Sequence, residues 1–215
     1  MMRIMTARSR TSLAALGLLA CSGAAFAQTD RFPQLKVEDT AGDQRALAER
    51  MLKETRIGLG GPWNVMLRSP NMSEGLLNLY NYFRWKTALP QPLVELAILT
   101  TAREWSVQFE WFAHYPLALK AGLSPALVAD LRVGKRPENM KPEESAAYDF
   151  TVEVCRRHFV SDATFQKAKA LWGEKTVVDL TSLIGTYISI GALLNVAEVK
   201  TSANGGPDFL PALQR

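Results

Sequence analysis

The 215-residue sequence predicts an all-α fold of seven or eight helices in a single domain. Three observations predict it. Apolar residues recur three and four apart over most of the chain. Glycine, proline and hydroxyl side chains fall at the ends of those periodic stretches. No sustained apolar–polar alternation is bounded by hairpin turns, so strand signals are poor.

Residues 1–27 read as a secretory leader. Met1 to Arg10 carries Arg3, Arg8 and Arg10 and no acid, Leu13 to Ala20 is a short apolar run, and Ala25-Phe26-Ala27 is a small-x-small cleavage site. Lipoprotein processing at Cys21 is the alternative. Either route implies an exported protein, periplasmic or secreted. Residues 28–42 are an N-terminal arm without clear period, and residues 43–215 form the domain.

Asp43 to Arg56 is a polar amphipathic helix. Gly58 to Pro70 is a loop by its glycines and prolines. Met72 to Thr87 is a helix capped by Ser73 or Asn71, and Pro90 and Pro92 punctuate the next start. Leu93 to Ser106 and Val107 to Ala121 are helices separated by a bend, the second ended by Gly122. Ser124-Pro125 opens a short helix that stops at Gly134. Pro142 to His158 follows, with Glu143 and Glu144 at its positive end. Ser161 or Asp162 caps a helix ending at Gly173. Lys175 to Val199 is the last helix and the most apolar. Apolar on more than one face, it belongs either in the domain centre or at a subunit interface, and we expect the interface to account for part of it. Asp179, Asn195 and Glu198 argue against a membrane span.

Removing Arg3, Arg8 and Arg10 from the 25 basic residues leaves 22 against 21 acidic ones. That balance gives no nucleic-acid footprint. Cys155 is the only cysteine beyond the leader, so an intramolecular disulfide is excluded there.

The stretch QFEWFAHYP holds the candidate chemistry. Glu110 and His114 are one helical turn apart on one face. A carboxylate beside an imidazole raises its basicity and fixes its tautomer, which suits proton transfer. An ordinary surface pair has the same spacing, but Phe109, Trp111, Phe112 and Tyr115 leave little solvated face. Glu95 is a third candidate, an acid inside the apolar run LVELAIL. If its helix packs antiparallel to the next, it approaches the Glu110/His114 face.

The run ELAILTTAREWSVQFEWFAHYPLALKAGLS, with GPWNVMLRSP before it and LWGEKTVVDLTSLIGTYISIGALLNV after it, resembles the carboxymuconolactone decarboxylase family, which includes the alkylhydroperoxidase-D branch. The resemblance covers about residues 58–199. The peroxidase branch uses a glutamate, a Cys-x-x-Cys pair and a histidine. The matching positions are Glu95, Val107, Glu110 and His114, so both cysteines are absent and thiol peroxidase chemistry is not expected. The form Glu110-Trp111 to His114 is similar to the decarboxylase branch. That resemblance implies a cofactor-free decarboxylase acting on a carboxylated unsaturated lactone or a similar small organic acid. His114 would donate the proton or stabilise charge, Glu110 would orient it, and Glu95 would complete the relay. Arg68 would hold a carboxylate, Asn64 a carbonyl, and Trp63 and Trp111 would wall the pocket. Arg103 is an alternative carboxylate holder, although it reads more simply as a helix-surface residue. The resemblance also implies homotrimers or homohexamers. Two other readings stay open: a non-catalytic periplasmic binding protein on the same scaffold, and a metal-assisted hydrolase or oxygenase using Glu95, Glu110 and His114. Cys155 and His158 read as structural.

Overall fold

Residues 31–201 and 209–212 are described by the computed structural model, and every regular element among them is helical. The leader and the Cys21 alternative lie outside the described residues. A single 3-10 turn, Val37–Asp39, precedes eight α-helices: α1 (Gly42–Glu54), α2 (Pro62–Met66), α3 (Pro70–Trp85), α4 (Gln91–Glu104), α5 (Gln108–Ala121), α6 (Pro125–Arg132), α7 (Pro142–Arg157) and α8 (Asp162–Ala197).

The boundaries follow local chemistry. Ser124 Oγ accepts from the Leu127 amide and Ser161 Oγ from the Thr164 amide, as expected of caps. Gly122 ends α5 in the left-handed conformation at φ 104°. The bend between α4 and α5 is made by Ser106, at φ 52°. Gly173, at φ 75° and ψ 171°, breaks α8 into arms of residues 162–172 and 174–197, where the sequence reading places the end of one helix and the start of another.

Two expectations are corrected. The segment Gly58 to Pro70 is not wholly loop, because Pro62 starts the one-turn helix α2. Neither Ser73 nor Asn71 caps α3. The helix begins at Pro70, and Ser73 Oγ instead donates to the Met66 carbonyl at 2.6 Å, tying α3 to α2.

Helix α4 is the central element, with every residue from Leu93 to Glu104 buried. It pairs with α5 as an antiparallel hairpin across a three-residue turn, in which the Val107 amide donates to the Ala102 carbonyl. Helices α4 to α8 enclose the main core, including Leu96, Leu99, Trp111, Phe150 and Leu180. A second cluster of Leu47, Met51, Trp63, Met66, Leu67 and Leu77 joins α1, α2 and α3. Helix α8 is long and apolar enough to cross a membrane by length and composition, yet 56% of its most apolar window is buried within this chain. Its Asp179 is held inside by Tyr82, Thr87 and Lys175. It is a core helix with one exposed face.

Candidate active site

The antiparallel register of α4 and α5 determines the site. Packing of the two antiparallel helices brings Glu95 on α4 against His114 on α5, with Glu95 Oε2 2.7 Å from His114 Nδ1. Glu110, one turn before His114, places its Oε2 3.3 Å from the other ring nitrogen, Nε2. The second oxygen of Glu95 takes a hydrogen bond from Arg84 of α3 at 2.6 Å. Tyr187 of α8 closes the group, its hydroxyl oxygen 3.4 Å from Nε2 and its ring edge-on to the imidazole at 5.3 Å. Glu95, Glu110, His114 and Tyr187 are all buried.

Burial alone would drive the imidazole toward neutrality. The bonds to Glu110 and Glu95 outweigh it and raise the His114 pKa to about 9. Burial likewise pushes the Glu95 carboxyl up, but His114 and Arg84 more than compensate and hold it below its ordinary value. Burial, then the negative charge of Glu110 and Glu95, keeps the Tyr187 phenol protonated well above its usual range. At neutral pH the His114 ring is therefore held in its charged form against the Glu95 carboxylate.

This group forms one wall of a partly open cleft. The cleft runs along the seam between the two hydrophobic clusters. Arg56 and Ile57 line it from the segment after α1, Pro62 and Trp63 from α2, and Tyr80 and Arg84 from α3. Phe109, Glu110 and His114 line it from α5, and Tyr187 and Ile190 from α8. Glu95 lies behind His114 rather than in the lining.

Glu95, Glu110, His114 and Trp63 thus come together as expected, and three other expected residues do not join them. Arg68 bonds the carbonyls of Asn64 and Pro33 and stacks on Phe32. Asn64 pairs with the backbone of Leu35, accepting from its amide at 3.0 Å and donating to its carbonyl at 2.8 Å. Both fasten the N-terminal arm to α2 instead of lining the cleft. Trp111 is fully buried in the main core. Arg103 is neither at the surface nor near the cleft lining. It is 2% exposed and donates to the carbonyls of Arg132 and Pro211. Cys155 is half-buried on α7, and burial lifts its thiol to about 12, which suits a core residue and not a nucleophile. Among the described residues no group of three His, Cys, Asp or Glu side chains is arranged to hold a metal ion.

The sequence reading missed Arg84, Arg56 and Tyr187. Arg84 had no signal in its own helix, because its partner lies on α4. Tyr187 read as one apolar position among many. Its signal was a polar ring on the helix most able to reach the domain centre.

No family model and no curated relative matches the chain. Solved structures do resemble it. An uncharacterised peroxidase-related protein from Ralstonia eutropha JMP134, described as an alkylhydroperoxidase AhpD core, aligns with a TM-score of 0.67 at 15% identity, over 81% of this chain and 93% of that one. A protein of unknown function from Agrobacterium tumefaciens, described as a putative antioxidant defence protein AhpD, aligns with a TM-score of 0.58 at 17% identity, over 66% of this chain and 97% of that one. At such identities the likeness is one of architecture, and the chain has the all-α alkylhydroperoxidase-D-like fold.

Proposed function

We propose that the protein is a cofactor-independent decarboxylase of a carboxylated unsaturated lactone or a similar small organic acid. The observation that carries this reading is the imidazole of His114, held between Glu95 and Glu110 in the wall of a cleft. A second observation supports an acidic substrate. With His114 protonated, its charge and that of Arg84 balance Glu95 and Glu110. Arg56 then leaves the lining with one net positive charge, which favours an anion. Arg56, not Arg68, is the residue we assign to the substrate's carboxylate.

In this reading the bond between the carboxyl carbon and the ring breaks, and its electron pair moves into the conjugated carbonyl as an enolate. Carbon dioxide leaves. The apolar lining of Phe109, Leu117 and Ile190 favours a neutral product over the carboxylate. His114 gives its Nε2 proton to carbon as the enolate collapses, and regains one from solvent by way of Glu110. The net change is one proton consumed and one carbon dioxide released. Glu95 sits behind His114 and touches no substrate, and Arg84, although it lines the cleft, is engaged by Glu95. They hold the imidazole in place and keep it charged.

The test is incubation of the mature chain with a panel of carboxylated butenolides, following carbon dioxide release and ultraviolet absorbance. Turnover that falls by roughly 10²–10⁴ in H114A is the expected result. A ligand that binds without being consumed would instead favour the non-catalytic binding protein. We propose further that the chain acts in the periplasm or outside the cell, as its leader suggests, and that it self-associates through the exposed face of α8.

A further inference from the structure

Counting protons around His114 leaves one donor without an acceptor. His114 is charged at neutral pH, so both ring nitrogens carry a proton: Nδ1 faces a Glu95 oxygen at 2.7 Å and Nε2 lies 3.3 Å from a Glu110 oxygen. Nε2 is then a donor. The Tyr187 oxygen, 3.4 Å from it, can receive a hydrogen bond there but cannot give one. The Tyr187 hydroxyl makes no other hydrogen bond among the described residues, and the residue is only 4% exposed. Buried phenols ordinarily have the O–H engaged. Tyr187 lines the cleft, so its proton is available to whatever fills that cleft, solvent or a ligand that displaces it.

We propose that Tyr187 is a catalytic residue whose O–H binds the substrate's carbonyl oxygen, where negative charge gathers when carbon dioxide leaves. The proposal rests on the decarboxylase reading for its chemistry, although not for the unpaired donor. An oxygen fixed at Tyr187 brings the adjacent carbon of the conjugated system beside Nε2, 3.4 Å from the same hydroxyl. One group then stabilises the enolate and its neighbour returns the proton. Tyr187 stays protonated across neutral pH, so its donor is ready before the substrate arrives.

The experiment compares Y187F with the unaltered mature chain, measuring turnover of the carboxylated butenolides and, in parallel, their equilibrium binding through tryptophan fluorescence. If the unaltered protein turns one over, kcat should fall by roughly 10²–10³ in Y187F with KM little changed, the usual result of deleting one such donor. Equal kcat would overturn the role of Tyr187 and leave the decarboxylase reading standing. Binding without turnover by the unaltered protein would overturn that reading, and the ratio of Kd values then decides the donor. A Kd weakened by about tenfold in Y187F, the loss of a hydrogen bond of ordinary strength, supports it and an equal Kd removes it. Neither binding nor turnover with any acid overturns both. Melting gives a check that needs no ligand. Y187F loses only the long 3.4 Å contact that the hydroxyl accepts from Nε2, so its Tm should change little, and a fall of several degrees would reveal a structural partner for the proton and overturn the proposal.

Discussion

His114 links catalysis to stability through one proton. Its pKa is about 9 in the folded protein against 6.5 for an ordinary histidine, so the native state holds that proton more tightly than the unfolded chain. A gap of that size stabilises the native state by about 3 kcal/mol. The stabilisation is fully present below pH 6.5 and is lost as pH rises through about 9. Glu95, held below its ordinary value, works in the opposite sense, and its contribution is lost as pH falls through the carboxylate range. Denaturant unfolding measured from pH 6 to pH 10 should therefore show declining stability, and H114Q should flatten the decline. A proton donor of this pKa also predicts turnover that persists to about pH 9 and falls above it. Arg84 can be tested separately. Replacing it with Met leaves Glu95 buried with His114 as its one cationic partner, and breaking a buried pair of this kind costs about 3 kcal/mol. A midpoint unchanged in R84M would show that the Arg84 bond contributes nothing net.

Between the helices, the cleft depends on one close approach. Gly61, just before α2, has φ 55°, and a Cβ built there would lie 2.2 Å from the Phe109 ring of α5. Alanine at position 61 meets two penalties, backbone strain at φ 55° and ψ −129°, a conformation open to glycine but not to residues with a Cβ, and displacement of a ring that walls the cleft. In the double variant G61A/F109A the steric part vanishes and the backbone strain remains. Denaturation of both singles and the double should therefore give a coupling energy of about 1 kcal/mol or more, of the sign that makes the double less destabilised than the sum. How legible the site was follows the same contacts. Glu110 and His114 were readable because one helix carries both, and Glu95 because an acid in an apolar run has to find a partner. Helices α1 to α8 were readable from their period and caps, apart from the single turn of α2 hidden among glycines. Arg68 and Asn64 were misread because the direction a loop side chain takes depends on what docks on it. Here that is the backbone of Pro33 and Leu35, which no spacing rule brings to α2.

The two hydrophobic clusters meet along the cleft, and α8 is the element that spans them, its inner face supplying Tyr187 and Ile190. Its outer face is of another kind. From residue 176 to 197 the only charged side chain is Asp179, which is turned inward, so the exposed positions are Val178, Thr181, Ser182, Gly185, Ser189, Asn195 and Val196. Val178 is 63% exposed and Val196 59%. Five helical turns separate these two valines, which puts them on the same side. A charge-free stripe of small residues over that length suits close packing of one helix on another, and a symmetric pair or ring of copies would cover it. Gly185 lies near its middle, and a Cβ added there meets nothing within 4 Å. G185R should therefore fold as well as the parent, with helix propensity improved by roughly 0.8 kcal/mol, while placing a charge at the centre of the contact. Sedimentation velocity at tens of micromolar should show an assembly for the parent chain and a monomer for G185R, both with equal Tm or a lower one for the dissociated variant. A parent chain that sediments as a monomer would mean that α8 is exposed for some other reason. An assembly that G185R leaves intact would place the contact on another face, of which the exposed Trp85 at the end of α3 is the next to test.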